Sequence, residues 1–453
     1  MSAFSQFSLP DSLLANLDSM GIQTPTEIQQ AALPALLAGD DLIAQAATGS
    51  GKTLTFALPI ALKVTSDIAT QALVLCPTRE LAEQVADTIR TVLRVVPNIK
   101  VQTLCGGQPM GPQIQSLRHA PQVIVATPGR LVEHVEKRRV DLRTVSQLVL
   151  DEADRMLDVG FADDLDVIFH AMAPGHQTML FSATYTDEIN RMCETWLPTA
   201  QKVEVATKVA SITQQFYRLG SVKRYDAVAR ILSHHQPASA MIFTNTKREA
   251  AELAEVLKQQ GFAALAIHGD LEQRERNQVL AQFANGSCLY LIATDVAARG
   301  LDIPDVAMVV NLQPAHDVET HVHRIGRTGR AGREGLAVTL ISDDDTRPYE
   351  LLIERFGAIK SVGVQNLVFH ANRILQPVVQ TVLIQAGKKQ KIRKGDIVGL
   401  LTRDDKVPSD DIVDIQLTQL DTYLAIKQRS VKRTLQQLRE NRLKGIKVIA
   451  RKL

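Results

Sequence analysis

Short apolar runs recur through most of the chain, and each is followed by a turn and then by a helix-like pattern. The first series is "DLIAQA", "QALVLCPT", "QVIVATPG", "QLVLDEAD" and "QTMLFSAT". These runs do not alternate between polar and apolar residues, which indicates strands that are buried on both faces. Strands of this kind, separated by helices, predict a parallel sheet with helices on either side.

A second series of the same kind begins after a polar interruption. The stretch "TAQKVEVATKVAS" ends the first series, and "SAMIFTNT", "FAALAIHGD", "CLYLIATDV", "VAMVVNLQ" and "LAVTLIS" form the second. The chain of 453 residues is also too long for one hydrophobic core, because domains usually hold roughly 100 to 200 residues. We therefore predict two α/β domains, over residues 1–205 and 212–365, and a linker over residues 366–378.

The C-terminal residues 379–453 follow a different order of elements. Their pattern predicts β-α-β-β-α-β, which is the order of a ferredoxin-like RNA-recognition fold. This segment carries 17 Lys and Arg against 8 Asp and Glu, whereas the rest of the chain carries 34 against 41. A basic module attached to a mildly acidic body indicates a surface that binds polyanions, although a solvated charged face gives the same count.

Composition narrows the class of protein further. Apolar residues make up 45% of the chain and charged residues 22%, as in ordered α/β proteins. No window approaches the roughly 18 uninterrupted apolar residues of a membrane span, and the start lacks the basic and apolar segments of a secretory signal. We expect a cytoplasmic protein that does not span a membrane. The four cysteines lie far apart without a C-x-x-C pair, so we expect buried thiols rather than zinc ligands or disulfides: Cys76, Cys105, Cys193 and Cys288.

The stretch "LIAQAATGSGKTLTF", residues 42–56, joins a strand to a helix through the Gly-Lys-Thr of a phosphate-binding loop. Backbone N–H groups of such a loop and the N-terminus of the helix suit phosphate. Lys52 would meet the β- and γ-phosphates of a nucleotide, and the Thr53 hydroxyl would bind Mg²⁺. Ala46 replaces the first glycine of the general pattern, so by itself the stretch also fits an ordinary turn.

The stretch "LVLDEAD" places two carboxylates at the end of a buried strand. In open α/β sheets, ligands bind at the carboxyl ends of the strands, so these carboxylates would lie beside the phosphate loop. Asp151 would hold Mg²⁺ through water, and Glu152 would orient and polarise the water that attacks the γ-phosphate. The alternative is an acidic loop tip without a ligand.

Together these motifs identify a family. DEAD at residues 151–154 and SAT at 182–184 resemble the DEAD-box RNA helicases, whose phosphate loop reads A-x-T-G-S-G-K-T and so accommodates Ala46. The other motifs of the family occur in order: Phe4 with "GIQTPTEIQ", "PTRELAEQ", Gly106-Gly107, "TPGR", "MIFTNTK", Gln273 with Arg276, "ATDVAARGLD" and "HRIGRTGR". The resemblance covers residues 4–345. It implies two RecA-like domains that bind ATP with Mg²⁺ and close over it to bend single-stranded RNA.

The resemblance implies roles for residues around the nucleotide. Gln29 would pair with N6 and N7 of adenine, whereas Ile22 replaces an aromatic residue that is frequent in the family. The implied nucleotide-binding residues are Phe4, Gln29, Ala47, Thr48, Gly49, Ser50, Gly51, Lys52, Thr53, Gly300 and Asp302. The implied catalytic residues are Lys52, Asp151, Glu152, Arg327 and Arg330, with Thr53 and Asp151 on the metal. The implied coupling residues are Asp154, Ser182, Thr184 and His323.

The resemblance also implies an RNA-binding surface on each helicase domain. Contacts to the RNA backbone do not read sequence, so this core should bind RNA nonspecifically. The implied contacts are Pro77, Thr78, Arg79, Gly106, Gly107, Thr127, Pro128, Gly129, Arg130, Thr244, Gln273, Arg276 and Thr294.

The C-terminal module on this core resembles the bacterial DbpA group, which implies a tail that tethers the helicase to large-subunit ribosomal RNA in pre-ribosomal particles. RNA-recognition motifs stack bases on two or three aromatic residues of the sheet, and this tail offers only Tyr423. Specificity would then depend on basic loops that include Lys388, Lys389 and Arg393. A ferredoxin-like domain that docks on protein is the alternative.

Three functions fit this sequence. The leading hypothesis is an ATP-dependent RNA helicase, a monomer, that remodels ribosomal RNA of the large subunit. An ATP-gated RNA clamp or assembly scaffold would use the same fold without productive strand separation. A DNA helicase is disfavoured because the motifs match the RNA family.

Overall fold

The computed structural model describes residues 3–46, 49–205, 212–298, 305–329, 334–403 and 406–453. Within them, the residues up to 205 form one compact unit and those from 212 onward form another. Ala47, Thr48, Gly300, Asp302 and Arg330 lie outside the described residues, and their predicted roles stay predictions.

The first unit is built on a seven-stranded sheet in which every pair of neighbours is parallel. The strands are β1 (Leu42–Gln45), β2 (Ala72–Leu75), β3 (Val101–Leu104), β4 (Val123–Ala126), β5 (Gln147–Asp151), β6 (Gln177–Ser182) and β7 (Gln201–Glu204), in the order β3-β4-β2-β5-β6-β1-β7. The helices are α1 (Asp11–Ser19), α2 (Glu27–Ala38), α3 (Lys52–Lys63), α4 (Arg79–Val92), α5 (Met110–Ser116), α6 (Pro128–Glu136), α7 (Ala153–Asp158), α8 (Ala162–His170) and α9 (Asp187–Trp196).

Both faces of this sheet are buried, which confirms what the uninterrupted apolar runs predict. Val74 and Val125 belong to one core cluster, and their neighbours Leu73 and Ile124 belong to a second cluster on the opposite face. The polar interruption contributes β7, whose side chains are mostly exposed. It lies at the sheet edge beside β1, so it needs no apolar pattern.

The second unit contains another parallel sheet of seven strands. Its strands are β8 (Ile212–Arg218), β9 (Ala240–Thr244), β10 (Ala264–Ile267), β11 (Tyr290–Thr294), β12 (Met308–Asn311), β13 (Gly335–Ile341) and β14 (Lys360–Gly363), in the order β10-β11-β9-β12-β13-β8-β14. Its helices are α10 (Arg224–His235), α11 (Lys247–Gln259), α12 (Gln273–Ala284), α13 (Asp295–Ala298), α14 (Val318–Ile325) and α15 (Thr346–Phe356).

The end of the chain folds as a smaller antiparallel sheet of four strands with two helices. The elements in chain order are β15 (Val379–Ile384), α16 (Lys394–Leu401), β16 (Ile412–Leu417), β17 (Thr422–Lys427), α17 (Val431–Glu440) and β18 (Ala450–Lys452). The strand order β16-β17-β15-β18 is that of a ferredoxin-like fold. The predicted fold class, two tandem RecA-like sheets and a β-α-β-β-α-β domain, is therefore confirmed.

All four cysteines are buried and free, as the sequence predicts for structural thiols. Burial raises the pKa of Cys288 to about 12, so its thiol stays protonated at neutral pH. Among the helices that the structure describes, none has the length and apolar character needed to cross a membrane.

Candidate active site

Residues 49–52, at the end of the connection between β1 and α3, have a backbone and a charge that suit an anion. Gly51 has φ +98°, a left-handed conformation that glycine adopts without steric cost, and it directly precedes α3. The amide groups of the first helical turn therefore face the loop. The side chain of Lys52 is buried, and its Nζ has no hydrogen-bond partner among the described residues. Because a buried ammonium without a partner is unfavourable, this position fits a bound phosphate.

Gln29 connects the start of α2 to the phosphate loop. Its Nε2 donates to the Gly51 carbonyl oxygen at 3.1 Å, and its Oε1 accepts from the Thr26 amide at 2.9 Å. A Cβ at Gly51 would lie only 2.7 Å from that Nε2, so this close approach requires glycine. Each atom of the carboxamide keeps a second hydrogen-bonding position. Gln29 can therefore hold the loop and still meet the edge of an adenine.

Phe4 and Ile22, which belong to the motif formed by Phe4 and "GIQTPTEIQ", pack into the hydrophobic core. The side chain of Phe4 is fully buried in the core, 6.1 Å from the ring centre of Phe7. Ile22 is partly buried against the same core. Phe4 therefore supports the motif from the core, and its predicted contact with the nucleotide stays a prediction.

Two buried carboxylates stand at the carboxyl end of β5. Asp151 is buried, and its Oδ1 has no hydrogen-bond partner among the described residues. Burial raises the pKa of Asp151 to about 6, although the charge of Lys52 opposes the rise. Glu152 has φ +54°, an uncommon conformation for a residue with a side chain. Its Oε2 accepts from Arg155 Nη1 at 2.8 Å, and this buried ion pair holds the strained turn.

The SAT motif joins the DEAD motif to the phosphate loop. Asp154 Oδ2 accepts from the amide of Thr184 at 3.0 Å and from its hydroxyl at 2.9 Å. The Ser182 carbonyl accepts from the Ala46 amide at 3.0 Å, at the start of the loop. The Ser182 hydroxyl donates to the Thr184 carbonyl at 2.6 Å, so it stabilises the motif itself and does not reach the DEAD residues. The family resemblance implies a bond from both hydroxyls to the DEAD motif, but only the Thr184 hydroxyl makes it.

The RNA-contact candidates of the first unit follow the adjacent strands β2, β3 and β4. Gly107 has φ +70°, and a Cβ there would collide with the guanidinium of Arg79. The amide of Gly106 donates to the hydroxyl of Thr127 at 3.3 Å. Arg130 Nη1 donates to the carbonyl of Gln108 at 3.0 Å. The three motifs are thereby fixed to one another in a single surface.

Some of the RNA-contact candidates of the first unit lie at the N-termini of helices. Thr78 caps α4 by accepting from the Leu81 amide at 3.3 Å, Pro128 opens α6, and Gly129 follows it. Pro77 is buried beside the cap. Helix N-termini favour phosphate, so these caps suit a nucleic-acid backbone.

In the second unit, the candidates lie at two neighbouring strand ends and at the start of α12. Thr244 ends β9 and lies opposite Thr294, which ends β11. Gln273 is the first residue of α12, and its Nε2 donates to Asn277 at 3.0 Å. Arg276 Nη2 donates to the Ala297 carbonyl at 3.4 Å. These side chains are gathered at one edge of the sheet.

Arg324 is a buried residue whose role the motif analysis missed. Its Nε and Nη2 each donate to Asp295 at 2.7 Å, and Nη2 also donates to Asn245 at 3.0 Å. One side chain therefore joins the "MIFTNTK", "ATDVAARGLD" and "HRIGRTGR" motifs. The sequence shows an arginine inside the motif "HRIGRTGR", but the motif does not tell which residues the arginine contacts. The neighbouring His323 is partly exposed, and Arg327 is buried.

The C-terminal domain presents its basic residues on exposed loops. Lys388 and Lys389 lie in a short 3-10 turn after β15, and Arg393 directly precedes α16. All three side chains are exposed. Tyr423, the aromatic residue of the sheet, is only 2% exposed and packs against Ala281 of α12. The burial of Tyr423 agrees with the prediction of weak base stacking, which stays a prediction.

Comparisons with known proteins agree with this geometry. The DEAD/DEAH box helicase model matches residues 26–192, the helicase conserved C-terminal domain matches 223–332, and the DbpA RNA binding domain matches 381–452. The chain is 44% identical over 449 residues to the ATP-dependent RNA helicase DbpA of Escherichia coli (strain K12), with 98% of each chain covered. The chain belongs to the DEAD-box RNA helicases of the DbpA type. Members of this family are RNA-dependent ATPases, so the DNA-helicase alternative is set aside.

Two further relatives show how far the helicase core extends. The DEAD-box ATP-dependent RNA helicase CshA of Bacillus subtilis (strain 168) is 42% identical over 343 residues, which cover 75% of this helicase and 69% of that relative. The solved structure of S. cerevisiae Dbp5 bound to RNA and ADP BeF3 is 31% identical, with a TM-score of 0.73 over 81% of this helicase and 97% of Dbp5. The similarity to DbpA extends over the C-terminal domain as well, whereas these two matches cover mainly the helicase core.

Changing Glu152 to Gln should abolish turnover while the helicase keeps its affinity for ATP. Glutamine can still bond to Arg155 but cannot take a proton, and losing such a base typically costs about 10²–10⁴ in rate. Steady-state ATPase activity and binding of a fluorescent ATP analogue measure the two effects. The exposed Glu136, changed to Gln, is the matched control. Normal turnover in a folded Glu152→Gln variant would contradict the assignment.

Changing Gly107 to Ala should weaken RNA binding, because the added methyl group displaces the guanidinium of Arg79. Losing one hydrogen bond to a charged group costs about 1.5–3 kcal/mol, so we expect a rise of about tenfold or more in the RNA concentration that half-saturates the ATPase. Gly111 has open space at its Cβ position and serves as the control, as Gly111→Ala. Equal RNA affinity in both variants would argue against a contact by Arg79.

Proposed function

We propose that this helicase uses ATP to unwind or remodel ribosomal RNA locally, in the large subunit during ribosome assembly, and that its C-terminal domain directs it there. The observation that carries the proposal is the exposed basic loop of a DbpA-type RNA-binding domain attached to a complete set of helicase motifs. Pre-ribosomal particles are the proposed partners. The monomeric state and the cytoplasmic location stay predictions from the sequence.

The proposed ATP chemistry uses residues at the carboxyl ends of the strands in the first domain. Lys52, whose buried ammonium has no hydrogen bond to the part of the chain that the structure describes, would neutralise the β- and γ-phosphates. Gly49, Ser50 and Gly51 would surround them with backbone amides. Thr53 and Asp151 would hold Mg²⁺, which neutralises charge on the phosphates when bound. Magnesium keeps several waters and takes few protein ligands, which suits a single hydroxyl and one carboxylate.

Glu152 would act on the attacking water. Its Oε2 accepts from Arg155 Nη1 at 2.8 Å, so the carboxylate is already ordered before the water binds. Asp154 accepts two hydrogen bonds from Thr184 of the SAT motif, so we assign it a coupling role rather than that of a base. The contributions of Arg327 and Arg330, and closure of two domains over ATP, stay predictions from the sequence.

The proposed RNA contacts divide into nonspecific and targeting sets. Arg79, Thr127 and Arg130 of the first domain would hold the RNA backbone, as would Thr244 and Thr294 of the second. Such contacts carry no sequence information. Preference for ribosomal RNA must therefore come from the C-terminal domain, and specifically from its loops, because its sheet face is buried at Tyr423.

Changing Lys388, Lys389 and Arg393 together to Gln should reduce the preference for ribosomal RNA. Each contact to a single-stranded phosphate contributes about −0.7 to the slope of log K against log salt concentration, so the slope should fall in magnitude by roughly 2. ATPase titrations with large-subunit ribosomal RNA and with unrelated RNA, at several salt concentrations, measure it. The control changes the exposed Lys258, Arg347 and Lys360 to Gln. An unchanged preference would exclude this loop as the targeting site.

Strand displacement separates the helicase from an ATP-gated clamp. With ATP, the chain should release single strands from a short RNA duplex that carries a large-subunit ribosomal RNA segment, and the Glu152→Gln variant should not sustain repeated release. A gel or fluorescence assay under multiple turnover measures the displaced strand. ATP-dependent binding of the duplex without release would instead support the clamp.

A further inference from the structure

The C-terminal domain covers α12 with the sheet face that its own helices leave open. Leu383 of β15 lies opposite Tyr423 of β17. Their neighbours Val382 and Leu424 belong to the core under the two helices, so Leu383 and Tyr423 point to the other face. There both are buried in a cluster with Ala281 of α12. The face on which RNA-recognition motifs commonly stack bases is thus occupied by protein.

Polar contacts flank this apolar centre at both ends. Arg274 donates to Asp421 from Nε at 3.0 Å and from Nη2 at 2.9 Å, and the Asp421 side chain is only 6% exposed. Beyond the other end of α12, Asn285 Nδ2 donates to the Thr381 hydroxyl at 2.8 Å. The hydroxyl of Ser287 lies 2.6 Å from the same oxygen. Two-pronged arginine–carboxylate geometry and matched polar groups define one docked orientation.

One face of helix α12 therefore contacts the C-terminal domain, and another carries the RNA-contact candidates. Arg274 and Ala281 are seven residues apart, which places them on the face toward the C-terminal domain. Gln273 and Arg276 are three apart and share a different face, and Arg276 contacts Ala297 of its own domain. The docked face and both RNA-contact candidates therefore lie on one short stretch of the same helix, and the contact to Ala297 holds Arg276 within its own domain.

The basic loop, which contains Lys388 and Lys389, is hydrogen-bonded to the turn that pairs with Arg274 at the start of α12. The amide of Lys388 donates to the Thr418 carbonyl at 2.8 Å, and the amide of Lys389 donates to the Gln419 carbonyl at 3.0 Å. Within that turn, the Thr418 hydroxyl accepts from the Asp421 amide at 3.0 Å. The turn that holds the lysines thus also carries the carboxylate that pairs with Arg274.

We propose that the Arg274–Asp421 ion pair is a positioning contact that fixes the basic loop beside the RNA-contacting turn of α12. RNA held by the C-terminal domain is then presented directly to the second helicase domain. The inference rests on the proposed function, because it takes Gln273 and Arg276 as RNA contacts. Arg274 acts through this placement, whereas Lys388 and Lys389 meet the RNA.

The test uses full-length Arg274→Ala, Asp421→Ala and the exchanged pair Arg274→Asp with Asp421→Arg. Each single change should raise the concentration of deproteinised large-subunit ribosomal RNA needed for half-maximal ATPase by about two- to fivefold, as for a partly exposed ion pair. The maximal rate and the titration with poly(U) should not change, because poly(U) uses only the core contacts. The exchanged pair should recover the ribosomal RNA titration.

The matched control is Arg248→Ala. Arg248 is an exposed arginine of the same domain, paired with Glu252 at 2.7 Å, and its loss should leave both titrations unchanged.

Nitration of Tyr423 reports docking without RNA. Burial raises the pKa of Tyr423 to about 12, so the phenol is both covered and protonated at pH 8. Tetranitromethane followed by peptide mass spectrometry should show slow modification in the wild type, faster modification in each single variant and slow modification in the exchanged pair.

The proposal is overturned if the single variants titrate ribosomal RNA like the wild type, or if they weaken poly(U) to the same extent. It is also overturned if the exchanged pair restores neither the titration nor the protection of Tyr423. A wild-type ATPase that no RNA stimulates would overturn the proposed function instead. The nitration pattern would still decide whether the ion pair docks the domain.

Discussion

Parallel strands buried on both faces impose the constraint on which the rest of this structure depends. Such strands must be joined by crossovers, so all their carboxyl ends lie at one edge of the sheet. In the first unit, β6 lies between β1 and β5, and the phosphate loop, the SAT motif and the DEAD motif follow these three strands. Residues distant in sequence are thereby adjacent, and the Ala46–Ser182 and Asp154–Thr184 hydrogen bonds fix their loops together.

The charged groups buried near the carboxyl ends of the two parallel sheets are of two kinds, those with a hydrogen-bonded partner and those without one among the described residues. Glu152 pairs with Arg155, and in the second unit Arg324 pairs with Asp295, so those charges are satisfied within the protein. Lys52 Nζ and Asp151 Oδ1 have no partner among the described residues. Because a buried polar atom without a hydrogen bond is costly, these two atoms support the phosphate and metal positions that we propose, and the paired charges stabilise the loops around them.

The packing of the C-terminal domain is compatible with both alternatives that the sequence left open. Its sheet face docks on α12, as in a protein-docking domain, and its exposed lysine loop remains available to RNA. Burial of Tyr423 reconciles the poor aromatic content of the sheet with an RNA-binding family, since bases need not stack there. This packing supports the proposal that the loops, rather than the sheet, contact RNA.

Much of the fold and of the ATP site was readable from local patterns. Apolar runs without alternation determined the buried parallel strands, and the motif letters determined the family and placed Lys52, Asp151 and Thr184. Strands β3, β7, β8 and β14 were missed because their patterns are short or partly exposed, as in β7, β8 and β14. Only the tertiary structure decided that Ser182 bonds within its own motif, that Arg324 joins three motifs and that Arg274 meets Asp421. The physical reason is that a periodic pattern tells which residues share a face, whereas the partner on that face is set by packing between elements distant in the chain.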